Sequence, residues 1–423
     1  MRNTDYFKGK KVTIVGLARS GLACANLLFD LGAKVSVTDI KDDEATRQNA
    51  LLLRSKGIKI ELGRHSEEII FDSQLLVVSP GVPRNALPLV WAREKGILCI
   101  SEIEVGWMLC QATVIAITGS SGKTTVATLI GKVLQEAGKR AFVCGNIGRP
   151  FTSEVAMMQE TDFVSLEVSS FQLETIKDFR PKIAVMLNFN KNHLDRHKDM
   201  QEYLEAKKNI FRNQTSADFL VLNERDPYLA NLGRQAQAKT VFFSESQELN
   251  PNQAAVATIA VLLGIEKEVC FKVFAAFKGL PHRMEYVDEI NGVKFINDSK
   301  ATVAESTVWA IKSISSPLVL IAGGRDKGAD YSAILKVADN KVKEVVVIGE
   351  AKDKIRKTLQ PHLSVKDAAD LKEAVMIAYR DACPGEYVLL SPMCSSFDMF
   401  KDYEERGRFF KETVFHLKST ITK

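Results

Sequence analysis

A lysine and a threonine directly after a glycine loop are what a protein needs to hold a polyphosphate. Ala116-Ile-Thr-Gly-Ser-Ser-Gly-Lys-Thr-Thr125 supplies them at the end of an apolar run. The backbone N–H groups of Gly119, Ser120, Ser121 and Gly122, helped by a helix beginning near Lys123, are expected to wrap nucleotide phosphates. Lys123 would neutralise the β and γ oxygens, and the Thr124 hydroxyl, followed by Thr125, would face Mg²⁺. The spacing departs from the general G-x-x-x-x-G-K-[ST] pattern, because Ile117 stands at the first glycine position and Gly119 comes two residues later.

A second cluster follows. Leu166-Glu-Val-Ser-Ser-Phe-Gln-Leu-Glu174 ends an apolar strand on a carboxylate. Glu167, at a strand's C-terminal edge, is read either as a Mg²⁺ ligand or as a helix-capping acid. Asn188-Phe-Asn-Lys-Asn-His-Leu-Asp-Arg-His197 brings His193, Asp195 and His197 toward the same edge, in a metal, phosphate or purely structural role. Near the N-terminus, Gly16-Leu-Ala-Arg-Ser-Gly21 follows a strand and opens a helix, with Ala18 where a dinucleotide fingerprint has its middle glycine. That helix start can still take a diphosphate, with Arg19 and Ser20 beside it and Asp39 meeting a ribose or a base. Ser79-Pro-Gly81 reads equally as part of this site or as a plain turn. Four polar clusters in the last third, around Arg283, Asp298 to Thr302, Gly323 to Gly328 and Ser391 to Asp398, suggest a further substrate pocket.

The elements that would position these residues are short β-branched runs alternating with helical stretches, the pattern of parallel sheets covered by helices. Expected strands are Lys11 to Val15, Lys34 to Asp39 and Leu75 to Val78; then Val114 to Thr118, Phe163 to Val168, Ile183 to Asn188 and Phe219 to Asn223; then Val293 to Ile296, Pro317 to Ala322, Val345 to Ile348 and Tyr387 to Ser391. Three sets imply three sheets, and 423 residues suit three domains at roughly 150 residues each. Seams are expected at Ser101 to Gln111 and at Gly279-Leu280-Pro281. With 46% hydrophobic and 26% charged residues the chain is globular, and a net charge of +5 gives little reason to expect nucleic acid. The charged N-terminus does not suit a signal peptide, and no run of about eighteen apolar residues occurs, so a cytoplasmic chain without membrane insertion is expected. Seven cysteines without a C-x-x-C pair read as buried hydrophobes rather than a disulfide frame or a zinc cage.

Taken in order, these motifs resemble those of the Mur ligases, the family that extends the bacterial cell-wall precursor, and most closely its D-glutamate-adding branch. TGSSGKTT resembles the family's ATP loop, LEVSSFQLE its central acidic motif and NHLDRH its metal-histidine motif; PHRMEYV, INDSKAT, GGRDKGADY and SPMCSSFDMFKDYEERG resemble its C-terminal motifs. The resemblance implies an α/β protein of mainly parallel sheets: a Rossmann-like UDP-binding domain over 1–107, a P-loop ATPase-like domain over 108–281 and a Rossmann-like amino-acid-binding domain over 282–423. It implies an ATP-dependent ligase that joins D-glutamate to UDP-N-acetylmuramoyl-L-alanine through an acyl phosphate, a cytoplasmic step of peptidoglycan precursor synthesis carried out by a monomer.

Residue by residue, the resemblance implies that Lys123, His193 and Lys207 are catalytic. Thr124, Glu167 and His193 would hold Mg²⁺, two ions on this resemblance, with Lys207 joining them if carbamylated by CO₂; Lys208 is an adjacent decoy. Asn252, Arg283 and Asp298 would contact ATP together with the loop. Arg19, Ser20, Asp39, Ser79, Gly81 and Asn146 would serve the UDP substrate, and Lys300, Thr302, Lys327, Ser396 and Phe397 the amino acid. Asn192, Val303 and Tyr403 depart from the family's usual residues, and Ser244 to Asn252 is shorter than its counterpart and lacks the usual His-Asn pair. Competing readings are another Mur-type or folylpolyglutamate-type ligase, a catalytically idle nucleotide-binding relative, and an NAD-dependent redox protein, which Ala18 opposes.

Overall fold

The computed structural model describes residues 1–190, 196–326 and 328–421. His193, Asp195 and Lys327 therefore lie outside the described residues. The chain divides into two compact units, Met1–Phe277 and Lys278–Lys423.

The first unit holds two parallel sheets. Strands β1 (Lys11–Val15), β2 (Lys34–Asp39), β3 (Lys59–Leu62), β4 (Leu75–Val78) and β5 (Leu98–Ser101) form one, in the order β3-β2-β1-β4-β5. Strands β6 (Thr113–Thr118), β7 (Ala141–Gly145), β8 (Phe163–Glu167), β9 (Ile183–Met186), β10 (Phe219–Asn223) and β11 (Lys239–Phe243) form the other, in the order β11-β10-β9-β6-β8-β7. Strand order reverses beside β1 in the first sheet and beside β6 in the second, and such switch points open a crevice at the carboxyl ends of the strands. The Gly16 turn leaves β1 there, and the Gly119–Gly122 loop leaves β6.

The segment Ser101 to Gln111 contains a helix, Glu102–Leu109, that packs against both sheets of this unit. One apolar core runs through both, from Val12, Ile14 and Val37 to Val164, Leu166 and Ala184. Glu102 accepts from the backbone N–H and hydroxyl of Thr152, each at 2.7 Å. Glu104 accepts from the N–H groups of Lys177, Asp178 and Phe179 at 2.8, 2.9 and 3.0 Å. Burial nonetheless pushes both carboxyls above their ordinary range.

The second unit carries β12 (Glu285–Ile290), β13 (Val293–Asn297), β14 (Leu318–Gly323), β15 (Val342–Ile348), β16 (Ser364–Asp367) and β17 (Tyr387–Leu390), in the order β12-β13-β17-β14-β15-β16. β12 runs antiparallel to β13, and the rest of the sheet is parallel. Among the described residues no helix is long and apolar enough to cross a membrane, and the seven cysteines are unpaired.

Candidate active site

The loop after β6 enters the helix Lys123–Glu136 through Gly122, whose φ of +78° is one that residues with a side chain rarely adopt. Asn188, just past β9, holds the loop in shape: its Oδ1 accepts from Ser121 N at 2.9 Å, and its amide donates to Ser121 O at 3.2 Å. Lys123 folds back over the loop, donating to Gly119 O at 2.9 Å and Ser120 O at 3.3 Å. Asn252 stands at the same loop, since a Cβ on Gly122 would lie 2.5 Å from its Oδ1. A capping box between Asn250 and Gln253 starts the helix that carries it.

Lys207 arrives from another direction. It sits in the last turn of the helix Met200–Lys208, which Asp199 caps by accepting from Glu202 N at 2.8 Å. Its ammonium donates to Thr118 Oγ1 at 3.2 Å and to Gly119 O at 2.9 Å, so both lysines meet on one carbonyl. Only 1% of Lys207 is exposed. Burial first, and then the Lys123 charge, hold its pKa well below the ordinary lysine value, against a partial offset from Glu167. Lys208, by contrast, lies at the surface paired with Glu205 at 2.9 Å.

Glu167 ends β8 beside this loop and is 2% exposed. One oxygen accepts from the Asn146 amide at 2.8 Å, while the other is buried with no hydrogen-bond partner. An orphaned buried carboxylate oxygen next to a phosphate loop is the donor a hard, oxygen-preferring cation takes, so Glu167 fits Mg²⁺. Among the described residues no three His, Cys, Asp or Glu side chains converge as a metal cage. Further ligands would therefore have to come from hydroxyls such as that of Thr124, from phosphate oxygens or from His193. His197 turns out to be packed: it is buried, its Nε2 lies 3.0 Å from Ser170 Oγ, and its ring rests against Phe171 and Tyr203. Burial lowers its pKa, which suits a neutral imidazole in the core.

In the first sheet, Asp39 holds the Gly16 turn, accepting from Leu17 N at 2.6 Å and from Lys41 N at 2.9 Å. Ser79 Oγ donates to Gly16 O at 2.8 Å. Gly21 permits the close approach of the following helix, because a Cβ there would lie 1.9 Å from Gly16 O. Arg19, at the start of that helix, reaches Gly148 O at 3.4 Å. Gly148 closes the Gly145-Asn146-Ile147-Gly148 turn whose asparagine holds Glu167, so the residues expected to serve the UDP group and those expected to serve ATP form one line. Ser20 opens the same helix and Gly81 sits in the Ser79 loop.

The second unit gathers its own set at the carboxyl ends of β13, β17 and β14. Asp298 is buried, accepting from Ser391 Oγ at 2.9 Å and from Met284 N at 3.2 Å. Burial pushes its pKa up to about 6, against the pull of Ser391, the Met284 amide and Arg283. The fully buried Arg406 donates to Ser299 Oγ, Ser299 O and Cys394 O at 3.0, 2.9 and 3.2 Å, and so joins two of the four expected clusters. Arg325 N donates to Ser395 O at 2.9 Å and brings in a third. The fourth reaches the same edge where Met284 N meets Asp298, with Arg283 held between two positive-φ residues, His282 and Met284. Lys300 N bonds His282 O at 3.0 Å and Thr302 N bonds Lys300 O at 2.9 Å. Ser396 is buried, and Phe397 is 58% exposed.

Sequence reasoning missed Thr118, Tyr203 and Asn188. Tyr203 was within reach: it lies one helical turn before Lys207, its ring 4.7 Å from that ammonium and its hydroxyl 3.3 Å from Ser120 Oγ.

Three family models match in sequence. They are the Mur ligase MurD-like N-terminal domain over 10–101, the Mur ligase middle domain over 117–270 and the Mur ligase glutamate ligase domain over 282–394. The chain is 41% identical to the UDP-N-acetylmuramoylalanine–D-glutamate ligase of Geotalea uraniireducens, over 96% of this chain and 97% of the relative. The chain belongs to the Mur ligase family. The like-named ligase of a Thermoanaerobacter strain is 38% identical over 97% and 99% of the two chains. Among solved structures, the UDP-N-acetylmuramate-alanine ligase of Thermotoga maritima matches with a TM-score of 0.60 at 17% identity, over 97% of this chain and all of that one. The MurF ligase of the same organism, solved with ADP, gives 0.58 at 15% identity over 98% and 97%. These neighbours share the fold of this Mur ligase, an ATP-dependent enzyme that forms amide bonds.

Proposed function

We propose that this Mur ligase adds D-glutamate to UDP-N-acetylmuramoyl-L-alanine at the expense of ATP, a cytoplasmic step of peptidoglycan precursor synthesis. It would act as a monomer without nucleic-acid or membrane partners. The observation that carries the reading is the meeting of two lysine ammonium groups on Gly119 O, beside a buried carboxylate. The Lys123 charge beside this loop is one that a polyphosphate would meet, and burial together with that charge depresses the neighbouring Lys207 amine.

An amine cannot displace oxide from a carboxylate, so the carboxylate must first acquire a leaving group. Its oxygen attacks the γ-phosphorus, ADP departs, and the amine then attacks the acyl phosphate carbon, giving amide, phosphate and a proton. Lys123 and the loop N–H groups hold the transferred phosphoryl group and its developing charge, while Gly119 to Thr125 and Asn252 hold the nucleotide. Glu167, the Thr124 hydroxyl and His193 would hold Mg²⁺, two ions in the proposed arrangement, which when bound supplies positive charge at the phosphates. The low pKa of Lys207 favours the neutral amine, whose nitrogen bonds to CO₂ with release of a proton, so that carbamylation would place an anion beside Lys123. Arg19, Ser20, Asp39, Ser79, Gly81 and Asn146 are assigned to the UDP substrate. Arg283 and Asp298 are assigned to ATP, and Lys300, Thr302, Lys327, Ser396 and Phe397 to D-glutamate. Residues 1–107, 108–281 and 282–423 are the proposed functional domains.

The test is phosphate release across a panel of amino acids with UDP-N-acetylmuramoyl-L-alanine and ATP. Release should require the nucleotide sugar and be greatest with D-glutamate. Equal release without an amino acid, or preference for another amine, would overturn the assignment.

A further inference from the structure

Arg196 lies outside the machinery assigned above, yet it has an unusual set of contacts. Its guanidinium donates to Pro80 O at 2.7 Å and to Val82 O at 2.6 Å, two carbonyls of the loop that follows β4. It also stacks over the Phe171 ring at 4.3 Å and stands 3.9 Å from Glu174. Glu174 is buried and faces a second arginine, Arg84, at 3.7 Å, which also bonds Glu202 at 3.0 Å. The Glu174 carboxylate thus stands between the largely buried Arg196 and the half-exposed Arg84, which Glu202 also pairs.

The Ser79–Val82 loop is held from both sides. Ser79 ties it to the Gly16 turn, and Arg196 ties it to the second sheet. Beyond Arg196 the contacts continue through His197 to Ser170, and from the His197 ring to Tyr203, whose hydroxyl reaches Ser120 in the phosphate loop. A packed chain of side chains therefore joins the Gly16 turn to the Ser120 loop, and in it Arg196 grips the backbone of the Ser79–Val82 loop from the second sheet's side. A planar fork holds two carbonyls two residues apart in one fixed geometry; a lysine ammonium on a flexible stem can reach two carbonyls, as Lys341 does with Lys312 O and Ile314 O, but without that fixed orientation.

We infer that Arg196 is a positioning residue for the nucleotide sugar: it fixes the Ser79–Val82 loop, without touching the substrate, in the place where that loop and the phosphate loop serve one bound molecule. The inference rests on the proposed reading of Ser79 and Gly81 as part of the UDP site. It implies that the cost of losing the fork falls on one substrate only.

The experiment compares the full chain with Arg196→Lys, Arg196→Ala and Glu174→Gln, measuring kcat, the KM of each of the three substrates, and the thermal midpoint. Arg196→Lys should raise the nucleotide-sugar KM about tenfold while the D-glutamate KM stays within about twofold. Glu174→Gln should shift the same KM in the same direction by a smaller factor. Should Arg196→Ala fail to fold, the lysine variant decides. A nucleotide-sugar KM unchanged within about twofold in Arg196→Lys, or three KM values that rise together, overturns the inference and leaves a plain structural tie. A wild-type chain that releases no phosphate with this substrate pair overturns the functional reading, and the inference falls with it.

Discussion

The Gly119–Gly122 loop and the carboxyl edge of the C-terminal sheet hold their buried charged groups in different ways. At the loop, Lys123 and Lys207 crowd one carbonyl, and Glu167 keeps a buried oxygen without a partner. At the C-terminal edge Asp298 is tied to Ser391 and Met284, and Arg406 to Ser299 and Cys394, while Arg406 Nη1 and Asp398 Oδ1 are also buried with no hydrogen-bond partner. At the loop two lysine nitrogens share one carbonyl, whereas at the C-terminal edge one arginine spreads over three acceptors and binds separate segments into a shape. On the proposed reading, the first is where phosphoryl transfer takes place and the second is where the amino acid is held.

The sharpest way to break this contrast is Lys123→Ala. Turnover should fall by a factor of about a thousand or more while the fold persists, because the charge serves the transition state and not the core. A modest loss would mean that the loop is not where phosphoryl transfer is stabilised. Lys207→Arg comes next, with an expected loss of about a hundredfold, since a guanidinium stays cationic and takes up no CO₂. In the wild type, stripping CO₂ from the buffer should lower turnover and restoring bicarbonate should recover it; indifference to CO₂ would remove the carbamate.

Asp298→Asn tests the other half. A carboxyl whose pKa is raised from 3.8 to about 6 stabilises the fold fully below 3.8 and loses that contribution as pH climbs through 6. The asparagine variant should therefore be more stable than wild type at pH 8, by at most about 3 kcal/mol, with the gain gone near pH 3.5. Denaturant titrations at the two pH values measure it, and phosphate release should report slower turnover in the same variant. The smallest effect belongs to Gly122→Ala, which combines a φ of +78° with a Cβ 2.5 Å from Asn252. It should cost about 1–2 kcal/mol of stability and raise the ATP KM, with thermal unfolding and steady-state rates as the readouts.

How much of this was written in the sequence depends on where each strand lies. The strands expected from apolar runs are β1, β2 and β4, then β6, β8, β9 and β10, then β13, β14, β15 and β17, and these are the interior strands of the three sheets. The unforeseen ones, β3, β5, β7, β11, β12 and β16, are the edges. An interior strand of a covered parallel sheet is buried on both faces and reads as an unbroken apolar run, such as Leu75–Val78. An edge strand such as Ser364–Asp367 is partly wet and carries Lys366 and Asp367, so nothing in its composition separates it from a loop. The site follows the same logic. The phosphate loop is contiguous and legible, and so is Lys207 against Lys208 once a family motif fixes the register. Thr118, Tyr203 and Arg196 act through contacts made across separate elements, and sequence spacing does not record such contacts.

The Glu102–Leu109 helix has a practical consequence for anyone wishing to dissect the enzyme. Severing the chain at 107/108 would strip Glu102 of Thr152 and Glu104 of its three amide donors, stranding two carboxylates in an apolar breach. The first hundred residues are thus poor material for an isolated fragment or a chimaera. A graft that carries residues 1–277 as one piece leaves that joint intact.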